Sequence, residues 1–166
     1  MAIKNSQRGF TLLIAVIFMS VMLAFGLALG SLSYKQQVLA SSAIESQYAF
    51  YAADAALECA LRADQSSENI FAHPPSDPGV APTVSCDGSG PISSSYQWVS
   101  GRWSVTNRLQ LDSDKRCADI TVYKPDNGVA YIFSQGYDVS CATLASPETG
   151  ARIVTRGINV QYSVGN

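Results

Sequence analysis

No proline lies between Met1 and Ala72, and no formal charge between Gly9 and Tyr34. The first absence leaves nothing to break a long N-terminal helix. The second excludes an ordinary solvated helix over that stretch. Histidine occurs once, at His73, so a Ser-His-Asp site would rest on one residue in a Pro-rich segment. It reads as a solvated loop residue. None of the four cysteines forms a C-x-x-C pair, which argues against zinc. No Gly-rich phosphate loop or zincin motif is present, so the expectation is a protein that is not an enzyme and holds no cofactor or metal.

What is there begins with Phe10 to Leu32, almost wholly apolar and long enough for the ~20 residues that cross a hydrocarbon core. A lone span in lipid must be helical, because the backbone has to satisfy its own hydrogen bonds. Lys4 and Arg8 precede it without an acidic residue, which places the N-terminus on the cytoplasmic side and the rest outside. A buried core helix seldom runs this long without charge. A secretory signal has a shorter apolar region, ~7–15 residues. From Tyr34 to Asp64 there is neither Gly nor Pro, so propensity continues the helix. If unbroken, Phe10 to Asp64 makes a rod of about 80 Å. Ile44, Tyr48, Tyr51 and Ala55 share one face. Phe50, Ala53, Leu57 and Leu61 share a neighbouring face, which is expected to pack on the chain's own head.

Two motifs carry a resemblance. Arg8-Gly9-Phe10-Thr11-Leu12 before a long apolar helix resembles the N-terminus of type IV pilins and secretion pseudopilins. Gln47-Tyr48-Ala49-Phe50-Tyr51-Ala52-Ala53-Asp54-Ala55-Ala56-Leu57 resembles the X-type minor pilins. Together they cover about the first third of the chain. The resemblance implies cleavage by a prepilin peptidase after Gly9 and N-methylation of Phe10. It implies other pilin subunits, the inner-membrane assembly platform and the membrane itself as partners. It also implies a final place in an extracellular or periplasmic filament. Most pilins carry Glu at the fifth mature position, where it neutralises a neighbour's terminal amine. This chain has Ile14 there; X-type minor pilins and the tip pseudopilin often lack the Glu too, which puts a bulk-subunit role in doubt. Gly26 and Gly30 form G-x-x-x-G inside the apolar span. That spacing serves close helix packing or marks a soft point that unwinds on assembly.

The expected layout is an α+β, pilin-like fold. Residues 1–9 form the leader, 10–33 the transmembrane and assembly helix, and 34–64 the amphipathic helix half. Residues 65–97 form a Pro/Ser/Gly-rich loop holding Pro74, Pro75, Pro78, Pro82 and Pro91. Residues 98–166 form an antiparallel sheet of about four strands. Trp103, Val105, Leu109 and Leu111 alternate with Ser104, Thr106, Arg108 and Gln110. Ile120 and Val122 continue the pattern in Cys117–Lys124. Pro125-Asp126-Asn127-Gly128 predicts a turn returning Val129–Val139, with Gly136 marking a bulge. A last strand is predicted over Arg152–Val164, with Ile158, Val160, Tyr162 and Val164 on one face. Outside the cytoplasm the cysteines pair in one of three ways. The favoured one is Cys59–Cys86, pinning the helix end to the loop, with Cys117–Cys141 in the hairpin region. Pilins commonly enclose an exposed region between two late cysteines, although here a full strand follows Cys141.

Without the leader the chain keeps nine basic against 13 acidic residues, a formal −4, so nucleic acid is not indicated as a partner. Asp112, Asp114 and Asp119 invite comparison with a calcium site, but acidic turns are usually just solvated. Trp98 and Trp103 flank Arg102 as a candidate binding surface, with core packing of at least one Trp the simpler reading. Two functions stand. One is a minor pilin or pseudopilin at the tip of a filament, in its priming complex or in low copy. The other is a solitary membrane-anchored extracytoplasmic binding domain that does not polymerise.

Overall fold

The computed structural model describes residues 6–66, 70–72, 76–77, 79–99, 102–125 and 128–163. The side chains of 6–8 are not described. Helix α1 spans Ser6–Gln65. The chain divides into two compact units, Met1–Ala43 and Ile44–Asn166. In the first unit α1 is apolar from Phe10 to Leu32, and its described side chains are exposed except for half-buried Ser42. Among the described residues it is the one helix long and apolar enough to cross a membrane. The layout is thus compatible with a single-pass anchor.

The second unit is a helix-on-sheet layer, which with α1 gives the α+β, pilin-like layout expected from the sequence. Five antiparallel strands lie in sequence order: β1 Pro91–Val99, β2 Arg102–Leu111, β3 Arg116–Lys124, β4 Val129–Tyr137 and β5 Thr155–Ser163. A short helix, α2 (Cys141–Ala145), sits between β4 and β5, with the Ser140 hydroxyl accepting from the Thr143 amide as its cap. The expected count of about four strands is corrected to five. β1 begins inside the stretch assigned to loop because its serines and Pro91 suit a half-exposed edge. Pro91 is its first residue, and the register shifts between Pro91 and Ser93. Of the predicted turn, Asp126 and Asn127 lie outside the described residues, while Gly128 takes a φ of 73°. Val164 also lies outside them.

The alternation read in β2 matches its burial, with Trp103, Val105, Leu109 and Leu111 inside. Trp103 is buried, and half-buried Trp98 packs edge-on to it with ring centroids 5.9 Å apart. The helix face against the sheet differs from the one expected. Phe50 is 44% exposed, and Leu57 and Leu61 only flank the core. The buried face is Ala49, Ala52, Ala53, Ala56, Ala60 and Ala63. Ala49, Ala53, Ala56, Ala60 and Ala63 recur every three or four residues as one helical stripe, with Ala52 beside it. Small side chains are required because the backbones come very close. A Cβ built on Gly136 of β4 would lie 2.1 Å from the Ala49 carbonyl oxygen and 2.3 Å from the Ala53 nitrogen. Gly136 pairs in register with Ala118 and Arg156, so it marks this approach and not a bulge. Beside it, Ser134 Oγ donates to the Ala53 carbonyl at 2.7 Å. Phe71 and Val84, from the loop segment, complete the core.

Candidate functional site

In the Met1–Ala43 unit, Gly9 and Phe10 are helical and exposed, Phe10 at 68% and Ile14 at 51%. Gly26 and Gly30 are helical too, and an added Cβ at either would meet nothing within 4 Å. The hydroxyls of Ser20 and Ser31 donate back to the carbonyls of Ile17 and Ala28, at 2.8 and 2.9 Å. Hydroxyls satisfied by their own helix leave an apolar surface suited to lipid or to other helices.

In the second unit two disulfides form, Cys59–Cys86 and Cys117–Cys141, the pairs favoured from the sequence. The first ties the last turns of α1 to the loop before β1. The second joins β3 to α2 in a small cluster with Tyr137 on the sheet face away from α1. At the C-terminal end of α1 lies a polar lock that sequence reasoning missed. Lys124 Nζ donates to Asp64 Oδ1, and the Tyr162 hydroxyl donates to Asp64 Oδ2. Burial and then the Asp64 carboxylate push the Tyr162 phenol well above its usual value. The signal in the sequence was Lys124 on the buried parity of β3, where Ile120 and Val122 face inward.

A groove of about 470 Å³ runs between α1 and the β2–β3 turn, lined by Tyr48, Tyr51, the Cys59–Cys86 bridge, Asp87, Asp112 and Arg116. The Arg116 guanidinium sits 4.3 Å from the Tyr48 ring centre, a cation–π contact. Asp87 and the run Asp112, Ser113, Asp114 all take positive φ, between 51° and 68°. The Asp112 amide donates to Asp87 Oδ2 at 2.9 Å, which helps hold the turn.

Asp119 is not brought to Asp112 and Asp114. It lies on the opposite sheet face, gripped by Arg108 at 2.7 and 2.8 Å and by the Tyr137 hydroxyl at 3.0 Å. That grip raises the Arg108 pKa, while burial and then Asp119 raise that of Tyr137. No group of three or more His, Cys, Asp or Glu side chains among the described residues is arranged to hold a metal ion. His73 lies outside the described residues. No family model, curated protein or solved structure matches this chain.

Proposed function

We propose that the chain is a minor type IV pilin or pseudopilin, a non-catalytic filament subunit processed by a prepilin peptidase after Gly9. One observation carries this reading: Arg8-Gly9-Phe10-Thr11-Leu12 opens an exposed apolar helix that leads into a disulfide-tied antiparallel head. Before assembly the helix anchors the head outside the cytoplasmic membrane, with Lys4 and Arg8 inside. After cleavage, Phe10 carries the methylated amine. The exposed apolar helix then exchanges lipid for neighbouring subunits, with Gly26 and Gly30 permitting close approach.

Intact-mass measurement of the membrane-extracted protein tests the reading. The expected N-terminus is methylated Phe10, lost when the prepilin peptidase is deleted. A mature N-terminus near Ser31 or Ser41 would reveal ordinary signal peptidase and overturn the assignment. Ile14 in place of the usual Glu favours a second reading, a solitary anchored binding domain. Absence from sheared surface or periplasmic filaments, with processing intact, would select it.

A further inference from the structure

The sheet face turned away from α1 carries a depression of about 370 Å³ with Phe133 in its lining. This is within the ~300–1,000 Å³ range of small-molecule sites. Register sets its floor. Thr121, Phe133 and Asn159 form one cross-strand row, and Asp119, Gln135 and Gly157 form the next. Side chains in such rows stand side by side on one face. Phe133 is 45% exposed, an apolar ring amid amides and hydroxyls. Gln135 and Asn159 are exposed, and each amide offers donors and an acceptor together.

Gly157 has no backbone reason to be glycine. It pairs with Gln135 without a bulge, and a Cβ there would meet only the Ser134 carbonyl oxygen at 3.7 Å, an ordinary contact. Glycine inside a strand marks a place where a ligand or another backbone comes close. The chemistry of the depression is neutral. Its one charged lining residue, Asp119, is matched by Arg108. A phosphate-bearing ligand would find no cation lining the depression, and an ammonium ligand would compete with Arg108 for Asp119. A peptide adding as a β-strand needs a free sheet edge, which this face does not offer. The remaining fit is an uncharged molecule with an apolar C–H face and a rim of hydroxyls.

We propose that this depression is a saccharide subsite. A pyranose ring stacks its C–H face on Phe133, its hydroxyls bond the amides of Gln135 and Asn159, and Gly157 leaves room for the ring. The site is independent of whether the chain joins a filament.

Saturation-transfer NMR tests this on the full chain in a detergent without a sugar headgroup. The probes are the methyl glycosides of glucose, galactose, mannose and N-acetylglucosamine. The expected result is transfer to the ring C–H protons of at least one of them. Phe133→Ala weakens binding on the order of tenfold or more, while Phe133→Tyr keeps it. Gly157→Val fills the depression and abolishes transfer with the melting transition retained. Should Phe133→Ala fail to fold, Gly157→Val decides, since the backbone at 157 admits a Cβ. No transfer to any of the four glycosides overturns the proposal. So does transfer to Phe133→Ala and Gly157→Val equal to that of the unaltered chain. Loss of a co-purifying protein in these variants, with no glycoside bound, would make the face a protein interface and overturn it too.

Discussion

Lys124 at the end of β3 donates to Asp64 in the last turn of α1, and both residues are buried, at 4% and 7% exposure. Such a pair is weak evidence for net stability, because desolvation offsets the Coulombic gain. Removing one partner is a different matter, since it strands a buried charge at a loss of ~3–5 kcal/mol. Asp64→Ala is therefore expected to destabilise the head by about that amount. The double variant Asp64→Leu with Lys124→Met should lie much closer to the parent. Urea unfolding followed by the fluorescence of buried Trp103 measures both. Equal losses in the single and double variants would show that packing, and not the stranded ammonium, sets the effect.

The same lock predicts an alkaline limb in stability. The Tyr162 phenol is raised in the fold, first by burial and then by Asp64. A raised acid contributes stability that is complete below its unfolded value, about 10 for Tyr. That contribution is lost as pH rises through the folded value, because the unfolded chain sheds the proton first. Tyr137 and Tyr96 are raised as well and share the limb. Tyr162→Phe should flatten the decline above pH 10 without abolishing it. Urea midpoints between pH 8 and 11, taken quickly to limit disulfide exchange, give the comparison. An unchanged slope in the variant would remove Tyr162 from the account.

Two strand glycines should respond in opposite ways. At Gly136 a methyl group would meet the α1 backbone at 2.1 Å, and neither backbone is a flexible end that can yield. Gly136→Ala is expected to cost about 3 kcal/mol or more, at or beyond the upper end of ordinary overpacking. Gly157→Ala meets open space and one ordinary contact, so it should be neutral or stabilise by roughly 0.5–1 kcal/mol. Thermal melts of the two proteins in one detergent settle the contrast. Similar losses at both sites would mean that helix proximity is not what position 136 demands.

Period decided how much of this was legible in advance. Strict alternation in 103–111 and 117–124 marks strands whose one face is buried, and those strands and faces are found. The apolar run before Tyr34 marks the exposed helix in the same direct way. Hydrophobic size is a poor guide to the helix face that packs on the sheet. Ala49 has little hydrophobic surface, yet it is fully buried because Gly136 lets the backbones approach. Lys124, Asp64 and Asn107 carry no such signal, because polar side chains announce no partner in sequence. Asn107 Nδ2 finds the Pro82 carbonyl at 3.2 Å, from 25 residues away. The Phe133 depression needed register, since Thr121, Phe133 and Asn159 meet only once three strands are aligned.

Ile14 makes the last prediction, and it rests on the pilin reading. A subunit added beneath another in such a filament must enclose the upper subunit's charged terminal amine. An unpaired buried charge loses several kcal/mol, which Glu at this position ordinarily offsets. Ile14 supplies neither charge nor hydrogen bond, and Thr11 nearby supplies only a hydroxyl. Copies of this chain should therefore stack poorly on one another. A subunit with nothing above it meets no such penalty, so the tip or a priming complex is the favourable position. The expected outcome is a low copy number, read by quantitative mass spectrometry of sheared filaments. Ile14→Glu should raise incorporation along the shaft by restoring the counter-charge. If the unaltered chain is instead the most abundant pilin in those filaments, the missing carboxylate does not limit stacking and the minor-subunit assignment fails.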